Sequence, residues 1–532
     1  MDSQYNFNIT IKRDYSHAYI YLDDIGEHGR SFIASIVDEV CSFKDPSFRF
    51  KSKWTRQQES GVVKLMDFDT DKNRLKFPIG LIAKLAVAFA KYDIGYQVID
   101  TCEYYRNEQS PFKFNDKIKI RPYQEQAISK AVNARRGIVC CPTGSGKTLM
   151  AGVIIHRLGY DRNIFLVHRK ELLLQTIESF QNLFPDEKIG VIGCGQCDIQ
   201  PITVAMVQTV HLAVNDPDIN QYGLEYSQDD VDMVTYRRAQ IVDAIANAEV
   251  VIQDECHNVK SSTIYRTLTL FPVPLHVYGM SATPKDNDAT DLMLWAVFEG
   301  IIENIRPRSL VDQGYLLMPV IRFIRHDCSD TTIKIKCKKC HKEFELPSTY
   351  NSYGTGSCFC THCKGKNVFN YGSVHKSLID DNDGLHRAVA DAVKAYNDQG
   401  LTVAISLTFS RLGNNLLKYI PGSVLLTSAD SDVKRKQIFD KLRKRQVNCL
   451  LTTLIAEGVD VPSLDVIGVL DGCDDGVYKQ RIGRIMRRDP QRGDKKYGYV
   501  LDIMYLNATF IEEHSKTRYD ICLNEEFTTF IH

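Results

Sequence analysis

The sequence predicts an α/β chain of two tandem domains on mostly parallel sheets, preceded by a small α+β module and interrupted by a cysteine-rich insert. Three observations predict it. Short apolar runs of strand length alternate with helical patterns over residues 118–310, and again over 385–515. A glycine-rich loop, Cys141-Pro142-Thr143-Gly144-Ser145-Gly146-Lys147-Thr148, lies between an apolar run (Gly137 to Cys141) and a helical pattern (Leu149 to Leu158). At 532 residues the chain is also too long for one core.

Composition narrows the class. The chain is 44% hydrophobic and 25% charged, as globular domains are. Its formal net charge is zero, so any binding of nucleic acid must come from local patches. There is no apolar stretch of 18 residues and no apolar signal core at the amino end, so a soluble intracellular chain is expected. Most of the 16 cysteines stand singly in apolar runs and read as small core residues.

Residues 1–110 are expected to form a separate amino-terminal domain. Phe7 to Ile11, Ala18 to Leu22 and Val62 to Met66 alternate as strands, Ser31 to Cys41 reads as a helix, and Pro78 starts another that runs to about Tyr92. Lys44, Arg49, Lys51, Lys53, Arg56, Lys64, Lys72, Arg74 and Lys76 crowd around Phe48, Phe50 and Trp54. Such a surface suits nucleic acid, with Lys51, Lys53 and Arg56 on phosphates, and it equally suits a solvated face over an aromatic core.

Residues 111–310 are expected to form the first α/β domain, with strands at Gly137–Cys141, Ile164–Val167, Ile189–Ile192, Ile202–Met206, Val250–Gln253 and His276–Met280. Ligands belong beyond the carboxyl ends of such strands. Gly144 and Gly146 let backbone N–H groups cradle phosphate, Lys147 can reach the β/γ-phosphates, and Thr148 can hold Mg2+. The strict eight-residue pattern has Gly where Cys141 stands. Further on, an apolar strand delivers two adjacent acids, Asp254 and Glu255. The first can hold the Mg2+ shell, and the second can polarise an attacking water.

Residues 311–380 hold a joining strand and then the insert. Cys337-Lys338-Lys339-Cys340 and Cys360-Thr361-His362-Cys363 are two C-x2-C knuckles, and four thiolates so spaced suit structural zinc. Cys358 and His362 are rival ligands. Lys334, Lys336, Lys338, Lys339, Lys342, Lys364 and Lys366 can meet phosphate or simply solvate the module.

Residues 381–532 resume the α/β pattern. Helices are expected at His386–Tyr396, Leu412–Tyr419 and Lys434–Lys444, with strands at Thr402–Leu407, Ser423–Leu426, Cys449–Thr452 and Val466–Leu470. The tail from about His514 carries no signal. In Gln480-Arg481-Ile482-Gly483-Arg484-Ile485-Met486-Arg487, Arg484 and Arg487 are expected one helical turn apart on one face.

These motifs, in this order, resemble those of superfamily 2 helicases and translocases, which implies two RecA-like domains with ATP and Mg2+ between them. Arg121-Pro122-Tyr123-Gln124 resembles the adenine-side motif, with Gln124 reading the base. The resemblance implies phosphate contacts at Thr143, Gly144, Ser145, Gly146, Lys147 and Thr148. It also implies nucleotide contacts at Gly458 and Asp460, and catalytic roles for Lys147, Asp254, Glu255, Gln480, Arg484 and Arg487. The stretches at His168-Arg169, Gln208-Thr209, Arg411 and Thr452 resemble motifs that hold the nucleic-acid strand. Ser281-Ala282-Thr283-Pro284 resembles the motif that couples hydrolysis to domain movement.

The amino-terminal region, through Phe48-Arg49-Phe50, Trp54, Val62 to Asp67 and Leu75 to Leu81, resembles that of bacteriophage recombination helicases of the T4 type. That resemblance implies an ATP-dependent DNA helicase that remodels branched DNA by fork regression or Holliday-junction branch migration. It further implies phage replication or recombination proteins as partners, action in host bacterial cytoplasm, and a monomer that binds no membrane. An RNA helicase, or the motor subunit of a restriction or nuclease complex, is the alternative.

Overall fold

The computed structural model describes residues 8–46, 48, 60–104, 110–215, 228–272, 274–283, 289–350, 357–457, 464–472, 475–488 and 497–532. The expectations for Phe7, Arg49, Phe50, Lys51, Lys53, Trp54, Arg56, Pro284, Gly458 and Asp460 lie outside the described residues. The chain divides into two compact units, one of residues 1–141 and 146–305, the other of 306–532 with loop residues 142–145.

The first unit opens with a mixed sheet. Strand Asn8–Arg13 pairs antiparallel with His17–Tyr21 and parallel with Gly95–Asp100, and Arg74–Pro78 and Asp67–Asp69 extend the other side. Helices Glu27–Val40 and Ile82–Ala90 lie against it through an apolar core of Ile11, Ile20, Ile33, Val37, Phe77, Leu85 and Phe89. The expected separation of this module does not hold. Its core continues into Ala296, with Leu292 and Trp295 packed against it, on helix Asp291–Phe298 of the following sheet domain. A Cβ added at Gly80 would come within 2.2 Å of the Trp295 carbonyl oxygen, so only glycine allows this approach.

The following sheet runs in the order Gln196–Asp198, Gly190–Gly193, Ile202–Met206, Asn163–Val167, Val250–Asp254, His276–Ser281, Arg136–Cys140, Ile301–Asn304. All of its pairs are parallel except the Gln196–Asp198 edge. Central strands such as Asn163–Val167 and Val250–Asp254 are buried along their whole length, which is why they read as continuous apolar runs. Each expected strand is present within two residues of its predicted ends. The edge strands Gln196–Asp198 and Ile301–Asn304 were not expected from the sequence.

The second unit holds a parallel sheet in the order Ser423–Leu426, Cys449–Thr452, Val403–Ser406, Val466–Val469, Tyr497–Leu506, Met318–Asp327, Thr528–Ile531. Two of its members correct the sequence reading. Met318–Asp327, expected as a joining strand, pairs with Tyr497–Leu506 over ten residues and is integral to the sheet. The tail is also structured, with helix Thr509–Asn524 crossing back and strand Thr528–Ile531 pairing with Val320–Phe323.

The insert proper therefore starts after Asp327. It consists of two antiparallel hairpins, Thr332–Lys336 with Glu343–Pro347 and Ser357–Phe359 with Lys366–Val368. Ile333, Ile335, Phe344 and Leu346 form its apolar side, continuous with the core of the second unit.

Candidate nucleotide and nucleic-acid sites

Strand Arg136–Cys140 runs into the loop, and helix Lys147–Leu158 runs out of it. Gly144 and Gly146 hold φ of +84° and +88°, which explains the residue type at both positions. The buried Ser145 hydroxyl donates to the Pro142 carbonyl at 2.7 Å and closes the loop on itself. A Cβ at Gly146 would lie 2.6 Å from Gln124 Nε2, so the loop also rests against the buried Gln124. The Gln124 Oε1 accepts the Arg121 N–H at 2.9 Å, capping helix Pro122–Asn133. Arg121, Gln124 and the loop are thus brought together.

Lys147 Nζ lies 3.3 Å from Glu255 Oε1. Glu255 has φ of +46°, a left-handed conformation that is costly for a non-glycine residue and turns the chain sharply at the strand end. Its N–H donates to Asp254 Oδ1 at 3.0 Å. Burial, and then the Glu255 charge, push the Asp254 carboxyl up to about 7, against the pull of Lys147. Burial works the same way on Glu255, but the Lys147 ammonium, together with His257 and His168, outweighs it and holds Glu255 below the usual carboxylate range. Two hard carboxylates beside one ammonium at the mouth of a phosphate-type loop form a donor set suited to a divalent, oxygen-seeking cation. Thr148 sits in the first turn of the helix that Lys147 opens.

The same strand ends carry a second link. His257 Nδ1 lies 3.1 Å from Ser281 Oγ, which accepts the Thr283 N–H at 3.2 Å. Ser281-Ala282-Thr283 is thereby tied to the acidic segment.

His168-Arg169 and Gln208-Thr209 follow neighbouring parallel strands and emerge side by side. Gln208 Nε2 donates to the His168 carbonyl at 3.0 Å, and Arg169 Nε donates to His168 Nε2 at 3.2 Å. Burial, then the Arg169 charge, lowers the His168 imidazole to about 4, so it is neutral near pH 7.

In the second unit Thr452 is fully buried, and its Oγ accepts the Leu454 N–H at 3.0 Å, which ties that hydroxyl into the strand end. Arg411 Nε donates to Asp380 Oδ2 at 2.8 Å. The Asp380 carboxylate is fully buried, whereas the Arg411 side chain stays half exposed.

The arginine segment departs from expectation. Helix Asp475–Ile485 carries Gln480 and Arg484 but ends before Arg487, so the two arginines do not share a helical face. The Met486 carbonyl accepts the Leu317 N–H at 2.7 Å, and Arg487 forms a β-bridge with Leu316. The backbone exchanges helical partners for strand-like ones.

Behind this helix lies a buried network that local patterns did not reveal. Arg518 grips Asp502 through Nε and Nη2 at 2.8–3.0 Å, Tyr478 donates to Asp502 at 2.7 Å, and Arg481 pairs with Asp471 at 3.0 Å. The one available signal was an acid inside the apolar run Tyr499-Val500-Leu501-Asp502-Ile503.

Among the basic residues of the amino-terminal module, Lys64 pairs with Asp38, and Arg74 pairs with Asp69 while stacking over Tyr19 at 3.9 Å. Those two are structural.

In the insert, the Sγ atoms of Cys337, Cys340, Cys360 and Cys363 all lie within 4.8 Å of one another. The knuckles repeat one geometry. His341 and Lys364 have φ of +59° and +57°, and their N–H groups return to the Cys337 and Cys360 carbonyls at 3.0 Å. Backbone N–H groups of Lys339 and His362 point at Cys337 and Cys360 sulfur at 3.3 and 3.4 Å. The His362 ring meets the Glu343 carbonyl at 3.0 Å, and Cys358 stands outside the cluster, so neither rival takes a place in it. The four sulfurs can coordinate one metal ion.

Residues 117–286 match the family described as Type III restriction enzyme, res subunit, and residues 393–489 match the Helicase conserved C-terminal domain. Together these matches take in about half of the chain, and the chain belongs to the superfamily 2 helicases and translocases, with two RecA-like domains, an ATP-binding module in the first, and a cysteine-rich insert.

The irc3 protein of Schizosaccharomyces pombe is 24% identical over 385 residues, 66% of this chain and 52% of irc3. The ATP-dependent DNA helicase uvsW of Enterobacteria phage T4 is 23% identical over 361 residues, 63% of each chain. A crystal structure of T4 UvsW aligns over 99% of both chains at 16% identity with a TM-score of 0.43. The chain spans about half the length of the first curated relatives it matches. Among the described residues, no helix is long and apolar enough to cross a membrane.

Proposed function

We propose that the chain is an ATP-dependent DNA translocase that remodels branched DNA. The observation that carries the reading is the convergence of Lys147, Asp254 and Glu255 at the mouth of the glycine loop, with Lys147 and Glu255 3.3 Å apart. In this reading Thr143, Gly144, Ser145, Gly146 and Lys147 bind the phosphates, and Arg121 and Gln124 hold the base. Thr148 and Asp254 would hold Mg2+, which when bound offsets phosphate charge. Glu255 accepts a proton from water attacking the γ-phosphate, giving ADP and phosphate. Gln480, Arg484 and Arg487 serve the γ-phosphate side, with Gly458 and Asp460 alongside.

His168, Arg169, Gln208, Thr209, Arg411 and Thr452 are proposed to hold the strand, chiefly by phosphate contacts and therefore with low sequence specificity. Lys51, Lys53 and Arg56 would add branch preference. Cys337, Cys340, Cys360 and Cys363 are proposed to hold structural zinc, which a complete set of four sulfurs favours over a catalytic site.

The test is phosphate release by the full chain with single-stranded, duplex, forked and four-way DNA and with RNA, followed by strand exchange of a labelled four-way junction with ATP. Branched DNA is expected to stimulate most and the junction to be resolved into products. Stronger stimulation by RNA than by any DNA would point instead to an RNA helicase.

A further inference from the structure

The seven lysines of the insert look alike in sequence, but the fold sorts them. In the first hairpin, Lys334 stands opposite Glu345 and Lys336 opposite Glu343, all four on the exposed face. That face neutralises itself through cross-strand charge pairs.

The second hairpin is different. Phe359 stands opposite Lys366, and Val368 opposite Ser357, on the side away from the buried Cys358 and Asn367. Phe359 is 60% exposed and Val368 45% exposed. Lys339 lies against the turn of this hairpin, since a Cβ added at Gly365 would come within 3.1 Å of its Cβ. Lys338 is held there too, its N–H donating to Asn367 Oδ1 at 2.8 Å. Lys364 occupies the left-handed position next to Gly365. Among the described residues, no carboxylate pairs with Lys338, Lys339, Lys364 or Lys366.

Exposed Phe359 and Val368, with Lys366 directly across the hairpin from the ring and Lys364 at its turn, make a chemically specific surface. An anionic protein partner would use the lysines and leave Phe359 in water. An apolar partner would have to desolvate the lysines. A single-stranded nucleic acid satisfies both, with a base face for the ring and phosphates for the lysines.

We propose that this face of the second hairpin, Phe359 with Lys366 across from it and Lys364 at the turn, is an accessory site for single-stranded DNA, one base stacking on Phe359. The inference rests on the nucleic-acid motor reading above and adds a contact outside the two sheet domains. Phe359 directly precedes Cys360 of the cysteine cluster.

The test uses the full chain and fluorescein-labelled dT20, followed by anisotropy across a salt series. Phe359→Ala is expected to weaken binding about tenfold, and Phe359→Trp to retain wild-type affinity. K364A/K366A is expected to flatten the slope of log Kd against log salt by about 1.4, two phosphates at about 0.7 each on a single strand. Metal content equal to wild type shows that each variant keeps its fold, and phosphate release at saturating DNA should be unchanged. Wild-type affinity in Phe359→Ala with an unaltered salt slope in K364A/K366A would overturn the site. So would a Phe359→Trp protein as weak as the alanine variant. Absence of DNA binding in the wild-type chain would instead strike the motor reading itself.

Discussion

Lys147 and Glu255, far apart in sequence, meet with 3.3 Å between ammonium and carboxylate, and each charge sustains the other in a buried setting. A nucleotide arriving in the loop must compete for that ammonium. Glu255→Gln is therefore expected to keep or improve ATP binding while lowering turnover at least about 100-fold, the scale of losing a positioned proton acceptor. Lys147→Ala is expected to weaken binding itself. Nucleotide titration alongside steady-state phosphate release separates the two, and a Glu255→Gln enzyme turning over at the wild-type rate would remove Glu255 from the chemistry.

The cysteine cluster makes a stoichiometric prediction. Elemental analysis of protein purified without chelator should find one zinc per chain, and Cys363→Ser should lose it. Cys358→Ser should keep it, because that buried thiol stands outside the cluster. Metal loss in Cys358→Ser with retention in Cys363→Ser would reverse the ligand assignment.

Asp502→Asn tests the network behind the arginine helix. The substitution leaves the fully buried Arg518 guanidinium without its carboxylate. Breaking such a pair costs about 3–5 kcal/mol. The urea transition of the second unit should shift to markedly lower denaturant, and an unmoved midpoint would show that the network carries little stability.

Acid should weaken the first unit through its histidines. Burial first, then the neighbouring Lys76 charge, holds His17 at about 4, and His168 is lowered to about 4 by burial and Arg169. A lowered folded pKa means that the unfolded chain takes up protons first, from about pH 6.5 downward. Stability is thus intact above that pH and is lost progressively as pH falls toward 4. Thermal midpoints measured from pH 7.5 to 5 should fall less steeply in a His17→Gln, His168→Gln double variant than in wild type. Parallel curves would count against this source of acid sensitivity.

What was legible in the sequence was local. The glycine loop, the acidic pair and the central strands each carry their own pattern in adjacent residues, and each formed where expected. The illegible parts depend on distant partners. Nothing near Thr528–Ile531 announces Val320–Phe323 as its neighbour, and nothing in the Arg484 to Arg487 spacing foretells that Leu316 and Leu317 capture the backbone at Met486 and Arg487. Lys334 and Lys336 read equally as phosphate contacts or as a solvating face until Glu345 and Glu343 are seen opposite them. The amino-terminal module looked separable because its strands and helices pattern well alone, yet part of its core is supplied by Ala296.

The amide of Asn382 meets the His326 ring at 3.0 Å, so the path that leaves the second sheet beyond Asp327 comes back to the point of departure. An excursion whose two ends nearly touch costs the host sheet little loop-closure entropy. It also leaves the ten-residue register of Met318–Asp327 with Tyr497–Leu506 untouched. The cysteine-rich module is thus rooted at a single point of the second sheet, while its apolar residues extend the core of its host.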